Sequence, residues 1–301
     1  MTLDEYAKHV ARRQPVVDVD GMPWRMARGI LEPLAMPHTM RPVDRAKVRQ
    51  AMRTTGARIA RWNDAWDTPP CEWWWICCDD AAYDLESFPR KRRQNVRAAL
   101  RRTEVRRVDV EWLAQRAYDV CVAAFQRYGP AALPPTRERF VEGTMAAGEY
   151  PGYEVWAGFA EGQLVAYMTC YVLQDAVQIS SNKWDPQFRR HMPNDALQYV
   201  LTRHYIVERH LAYVTTGSRV VYHDTKTQDF DLTLGYRRVF CPLRAEFDMM
   251  AKGLVTLGLH RVAGCMGINK LVPGPVNRLC AAVELARIAR SCGDRCAPAV
   301  R

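Results

Sequence analysis

The sequence predicts a mixed α/β fold, and three observations carry that expectation. The chain has 301 residues, 48% hydrophobic and 25% charged, the balance of a folded globular protein; disorder, collagen and coiled coil are excluded. From about residue 108 to residue 250, segments of helical period alternate with segments of strand period. Upstream, shorter segments mix the same two periods. The chain therefore reads as a reduced N-terminal α/β region over 1–88, a main α/β domain over 89–250 and a helical C-terminal tail over 251–301. No apolar run approaches the roughly 18–20 residues that span a bilayer, so an integral membrane protein is not expected. Met1 to Val10 lacks the apolar core of a secretory signal. With ten cysteines in the chain, reduced thiols and a cytoplasmic location are expected.

Each element has a local reason. Leu3 to Arg13 has helical spacing, and Val16 to Val19 is a short strand. Prolines punctuate 23–42, which reads as loop. Asp44 caps a helix that Gly56 closes. Glu72 to Cys78 is an apolar, aromatic strand in which alternation sends Trp73 and Trp75 to one face and Trp74 to the other. Val96, Ala99, Leu100 and Thr103 form one stripe of a helix over about 89–103, with Pro89 suited to its first turn. Glu111 to Tyr128 is helical, and Thr136 caps a further helix to about Ala147. Tyr153–Ala160 and Gln163–Leu173 are strands joined by the hairpin turn Glu161-Gly162, and Ala176–Trp184 continues the meander. A helix over Asn194–Arg209, a strand over Ala212–Thr216, a short helix from Thr227 ending at Gly235 and a strand over Val239–Phe247 complete the domain. In the tail, Val276 to Ile288 has the best helical pattern.

Charge points to anions. Lys and Arg number 43 against 33 Asp and Glu, a formal net charge of +10. Nine of those cations fall within 88–110 with only Glu104 and Asp109 as relief. Self-repulsion on such a helix favours an anionic partner. Arg92, Arg93, Arg97 and Arg101 are the expected nucleic-acid contacts on this 90–107 arginine helix.

Four segments carry a family resemblance: RKRRQNVRAALRR (90–102), GFAEGQLVAYMTC (158–170), SNKWDPQFRRHMPNDAL (181–197) and TQDFDLTLGYRRVF (227–240). Their order and spacing resemble the GNAT acyltransferase superfamily, closest to its Fem-like branch, whose members build peptidoglycan bridges from aminoacyl-tRNA. The resemblance implies a central twisted sheet flanked by helices, with the 1–88 region as the remnant of a second GNAT-like half. It implies amide formation by transfer of an acyl or aminoacyl group to an amine. It also implies a co-substrate, aminoacyl-tRNA or acyl-CoA, with no tightly bound cofactor. Acetyl-CoA-dependent members hold phosphates on a glycine loop at a helix N-terminus. This chain instead has Arg189, Arg190, His191, Met192, Pro193 and Asn194 there, and Pro193 removes one N–H donor. Arg189, Arg190, Asn194, Lys183 and Lys226 are the expected donor and phosphate contacts. Asp185, Tyr222, His223 and Asp224, after strand-like runs, are the candidates for proton transfer.

The acceptor is expected to be an amine-bearing small molecule, a peptide or a peptidoglycan precursor, with tRNA as the partner of the arginine helix. Two other readings stay open: an acyl-CoA-dependent N-acetyltransferase, and a non-catalytic RNA-binding protein using the arginine helix with Trp73–Trp75. No metal site is expected. Cys280, Cys292 and Cys296, with His260 and Cys265, lack the paired close spacing of a zinc site.

Overall fold

The computed structural model describes residues 2–27, 29–126, 132–221, 227–257 and 273–298. Two units emerge: one from Ile76–Gly217 and Thr227–Arg237, the other from Thr2–Trp75, Ser218–Lys226 and Arg238–Arg301. Tyr222, His223, Asp224, Lys226, His260 and Cys265 lie outside the described residues.

The first unit is built on the meander foreseen in the sequence. Strands β7 (Tyr153–Ala160), β8 (Gln163–Leu173) and β9 (Ala176–Trp184) pair antiparallel in succession. Glu161 and Gly162 both have positive φ, 52° and 74°, the backbone that a two-residue hairpin of matching twist requires. The arginine helix expected to reach residue 107 ends at Arg102, and residues 104–108 form strand β6, antiparallel to β7. The full order is β11-β5-β10-β9-β8-β7-β6, with β5 at Trp74–Cys78, β10 at Tyr213–Ser218 and β11 at Arg237–Phe240.

Helices cover both faces of this sheet, which is why β8 is buried along most of its length. The arginine helix α3 (Arg90–Arg102) packs beside α7 (Pro193–Arg203), and α7 crosses β6 to β9. Helices α4 (Val110–Arg116), α5 (Tyr118–Phe125) and α6 (Arg137–Gly148) share a core of Leu113, Val120, Phe140, Val155 and Tyr167. The single helix expected over 111–128 breaks at Ala117, whose φ of −95° and ψ of 2° leave the helical basin. The helix expected over 194–209 leaves α-geometry after Arg203 and ends in a π-turn, His204–Glu208.

The second unit holds α1 (Leu3–Ala11), α2 (Arg45–Thr55) and a five-stranded sheet, β1-β2-β3-β4-β12. Its strands are β1 (Val16–Asp18), β2 (Pro23–Ala27), β3 (Ile30–Pro33), β4 (Ile59–Asn63) and β12 (Leu243–Phe247). The loop expected over 23–42 is thus partly sheet. Pro23 opens β2 and Pro33 ends β3, positions where the missing N–H costs no ladder bond. Pro242 likewise divides the strand expected over 239–247 into β11 and β12, which join different sheets. The tail contributes α9 (Met249–Thr256) and α10 (Pro273–Ser291), and Leu285 and Ile288 of α10 pack with Trp73, Leu243 and Phe247.

Charge at the core of this unit converges on one side chain. Arg45 reaches Glu246 at 3.1 Å and Asp294 at 2.7 Å, carboxylates whose side chains are 2% and 1% exposed. Asp294 also accepts the Ala245 and Cys296 N–H groups, each at 3.0 Å. Replacing Arg45 by Met leaves both acids buried with less compensation, and unfolding free energy is expected to drop by about 3 kcal/mol. Chemical denaturation checks this; a loss below about 0.5 kcal/mol would mean that the neighbouring donors suffice.

Candidate functional site

The parallel strands β9 and β10 pair only over Ala176–Gln178 and Tyr213–Thr215, then part. Beyond that point β9 continues to Trp184 and β10 to Ser218, each with an edge no longer committed to the other. A register shift next to Thr169 leaves Ser180 as the extra residue of β9, its hydroxyl 2.7 Å from that of Thr169. Backbone N–H groups on two diverging strands can seat a carbonyl where they are not already bonded, and that of Gly217 is donated to Thr215 Oγ1 at 3.0 Å.

From the end of β9 the chain reaches the N-terminus of α7 through residues 185–192. Asp185 accepts the Gln187 N–H at 2.9 Å and caps the 3-10 turn Pro186–His191. Its carboxylate is thereby a capping group. Arg189 and Arg190 are exposed, and the backbone carbonyls of Arg190 and His191 are held by Arg102 Nη1 and Thr103 Oγ1 from the end of α3. Met192 turns through the left-handed region, φ 51°, immediately before Pro193. The N–H groups of Asp195 and Ala196 already donate to the Met192 carbonyl, at 3.1 and 3.3 Å. Pro193 and these two bonds thus withdraw three of the first four helix positions from an incoming anion.

Asp195 itself occupies the place. Its carboxylate lies 2.7 Å from Arg92 Nη1, with both side chains about 15% exposed or less. Burial raises its pKa, and the Arg92 guanidinium opposes that rise. Phe230 of helix α8 (Thr227–Leu232) lies against the same guanidinium, 4.9 Å from ring centre to Cζ. Asn182, near the end of β9, donates to Asn194 Oδ1 at 2.5 Å. Among the described residues the buried amide of Gln198, one turn on from Asn194, has no hydrogen-bond partner, and Asn182 Oδ1 is in the same state.

The expected residues therefore separate. Arg92 is turned inward toward Asp195. Arg93 and Arg97 both pair with Glu86, whereas Arg101 is exposed and makes no ion pair among the described residues. Lys183 lies over the Phe125 ring at 4.9 Å, and Asn194 is tied to Asn182. Trp73 is buried, Trp74 is covered by Arg219 and Arg238, each 4.8 Å from its ring, and Trp75 donates to Asn63. Among the described residues no three His, Cys, Asp or Glu side chains converge as metal ligands.

One group escaped sequence reasoning. Asp231, between Phe230 and Leu232 in α8, is 1% exposed and accepts a 2.7 Å hydrogen bond from Thr216 on β10. Burial pushes its pKa up to about 7. The available signal was an acid flanked by two apolar residues in a six-residue helix. Tyr83 and Tyr236 hold the same segment, through the Leu234 carbonyl at 3.0 Å and Thr202 at 2.6 Å, and Gly235 brings its backbone so close that a Cβ would lie 3.1 Å from the Tyr83 ring.

A family model described as "Acetyltransferase (GNAT) domain" matches residues 90–218. Among solved structures, FemX is 13% identical, with a TM-score of 0.51 covering 78% of this chain and 88% of that one. A C-terminal domain assigned to a lysylphosphatidylglycerol synthetase from Agrobacterium fabrum is 12% identical, with a TM-score of 0.53 covering 80% and 90%. L-PGS from Bacillus licheniformis is 12% identical, with a TM-score of 0.50 covering 78% and 84%. These likenesses show a shared fold. No curated protein gives a significant sequence match.

The raised pKa of Asp231 predicts a pH dependence with a definite sign. Between about pH 4, where an unfolded carboxyl ionises, and about 7, the folded state alone keeps this proton. Stability contributed by the neutral acid is fully present below that window and is lost as pH rises through it. Asp231→Asn should flatten this part of the profile and raise the melting temperature at pH 8 by at least about 2 °C. An unchanged slope in thermal melts from pH 4 to 8 would exclude the assignment.

Proposed function

We propose that this chain transfers an aminoacyl group from aminoacyl-tRNA to an amine, starting from the premise that it belongs to the GNAT acyltransferase superfamily through residues 90–218. The observation that carries the choice of donor is the closed N-terminus of α7. A CoA pyrophosphate needs free N–H groups at that helix end. Here Pro193 has none, the N–H groups of Asp195 and Ala196 are spent on Met192, and the buried Asp195 carboxylate would face the incoming anion. A tRNA acceptor stem needs only cations at the rim, which exposed Arg101, Arg189 and Arg190 supply. The fold shared with a lysylphosphatidylglycerol synthetase domain is compatible with an aminoacyl cargo.

In this reading the ester carbonyl sits in the opening between β9 and β10, where strand N–H groups stabilise the developing oxyanion. The amine attacks the carbonyl carbon, a C–N bond forms, and the bond between the acyl carbon and the ribose oxygen breaks, that oxygen leaving as a hydroxyl with the proton the amine gives up. One amine proton leaves; the Asp231–Thr216 pair is the described acid–base candidate beside β10. Asp185, Tyr222, His223 and Asp224 remain candidates for the same step, as do Lys183 and Lys226 for gripping a phosphate.

A thermal-shift titration with acetyl-CoA, run beside tRNA filter binding at two salt concentrations, tests the donor. We expect no CoA response, and tRNA affinity that falls roughly 10-fold or more between 50 and 200 mM salt. Stabilisation by CoA that depends on Arg189 or Arg190 would establish the acyl-CoA enzyme instead; salt-sensitive RNA binding with no acyl product would leave a binding protein.

The cleanest charge reversal is Arg101→Glu with Arg189→Glu and Arg190→Glu, because Arg92 is committed to Asp195. This triple variant should fold normally and lose most transfer from charged tRNA, read by product mass. Full activity in it would remove tRNA as the donor.

A further inference from the structure

A cleft of about 500 Å³ opens beside the first turn of α3, within the first unit, and the transfer chemistry above makes no use of it. Its volume falls in the range of small-ligand sites. Lys91, Arg92 and Asn95 line it from α3, with Ser87 before the helix and Thr233 after α8. Lys91 and Arg92 precede Asn95 by four and three residues, so all three point along one flank of the helix. Lys91 is exposed and makes no ion pair among the described residues.

Arg92 supplies the stronger argument. Its Nη1 serves Asp195, but its Nε and Nη2 are buried without an acceptor among the described residues. Donors on a charged, buried group rarely stay unpaired, since nothing then replaces the water they lost. The neighbouring helix end adds to the demand, because Pro89 precedes α3 and no side chain caps it. Guanidinium, ammonium and carboxamide together form the donor set that recognises a planar or tetrahedral oxyanion.

We propose that this cleft binds the phosphate or carboxylate group of a small-molecule ligand, held by Lys91, Arg92 and Asn95. On the transfer reading that ligand is the amine acceptor; only this last identification rests on that reading. Asp80, the one acid among the lining residues, disfavours a long polyanion there, so a nucleic-acid backbone is the poorer occupant.

Isothermal titration of the full-length protein with inorganic phosphate, and separately with acetate at matched ionic strength, tests the site. Saturable binding of at least one anion is expected. Lys91→Ala and Asn95→Ala should each weaken it by about fivefold or more, the effect of losing one charge-assisted or neutral hydrogen bond. Arg189→Ala with Arg190→Ala should leave it unchanged. Should Asn95→Ala fold poorly, the exposed Lys91→Gln carries the comparison. The proposal is overturned if neither anion saturates, if both α3 variants bind like the parent, or if only the Arg189 and Arg190 variant loses binding. It is also overturned if a ten-nucleotide RNA displaces the anion from the parent protein. Anion binding without transfer would sink the transfer reading alone, and transfer without anion binding would sink this one alone.

Discussion

Asp195 and Arg92 meet at 2.7 Å between the first turn of α7 and the inner face of α3, and much of the first unit is arranged around that contact. Two largely buried opposite charges hold the helices in register, since removing either would strand the other out of water. The carboxylate also lies where the positive end of α7 would otherwise attract a phosphate. One interaction thus joins two helices and sets the protein's own acid at the positive end of α7.

The parting of β9 and β10 gives that arrangement an opening to serve. Three paired residues keep the strands parallel, and beyond them the two edges are no longer paired with each other. Burial then tunes the polar groups beside it. Asp231 is driven toward neutrality because burial strips its carboxylate of water and, among the described residues, only the Thr216 hydroxyl opposes the rise. Where a cation is present, as at Asp195, the same desolvation is partly offset.

Part of this was legible along the chain. The meander, the Glu161-Gly162 turn, the Asp44 and Thr136 caps and the arginine helix all rest on interactions within a few residues, and each is where local pattern put it. The strands over 23–33 were hidden because prolines at strand ends look like prolines in loops. β6 was hidden because its exposed arginines continue the composition of the helix before it. The candidate site was read unevenly for the same reason. Arg189 and Arg190 sit at the helix end that their sequence context implied, while Asp231 became notable only once α8 was packed beside β10.

The sequence by itself determined the alternation of elements, the excess of positive charge and the absence of glycine from the loop before α7, because these depend on residue type and short spacing. Only the tertiary structure decided which arginines of α3 face solvent and which are spent. Arg92 turns inward because Asp195, more than a hundred positions away, lies in its path, whereas Arg101 finds no such partner among the described residues. Charge is written in the chain, but its availability is set by what burial places opposite it.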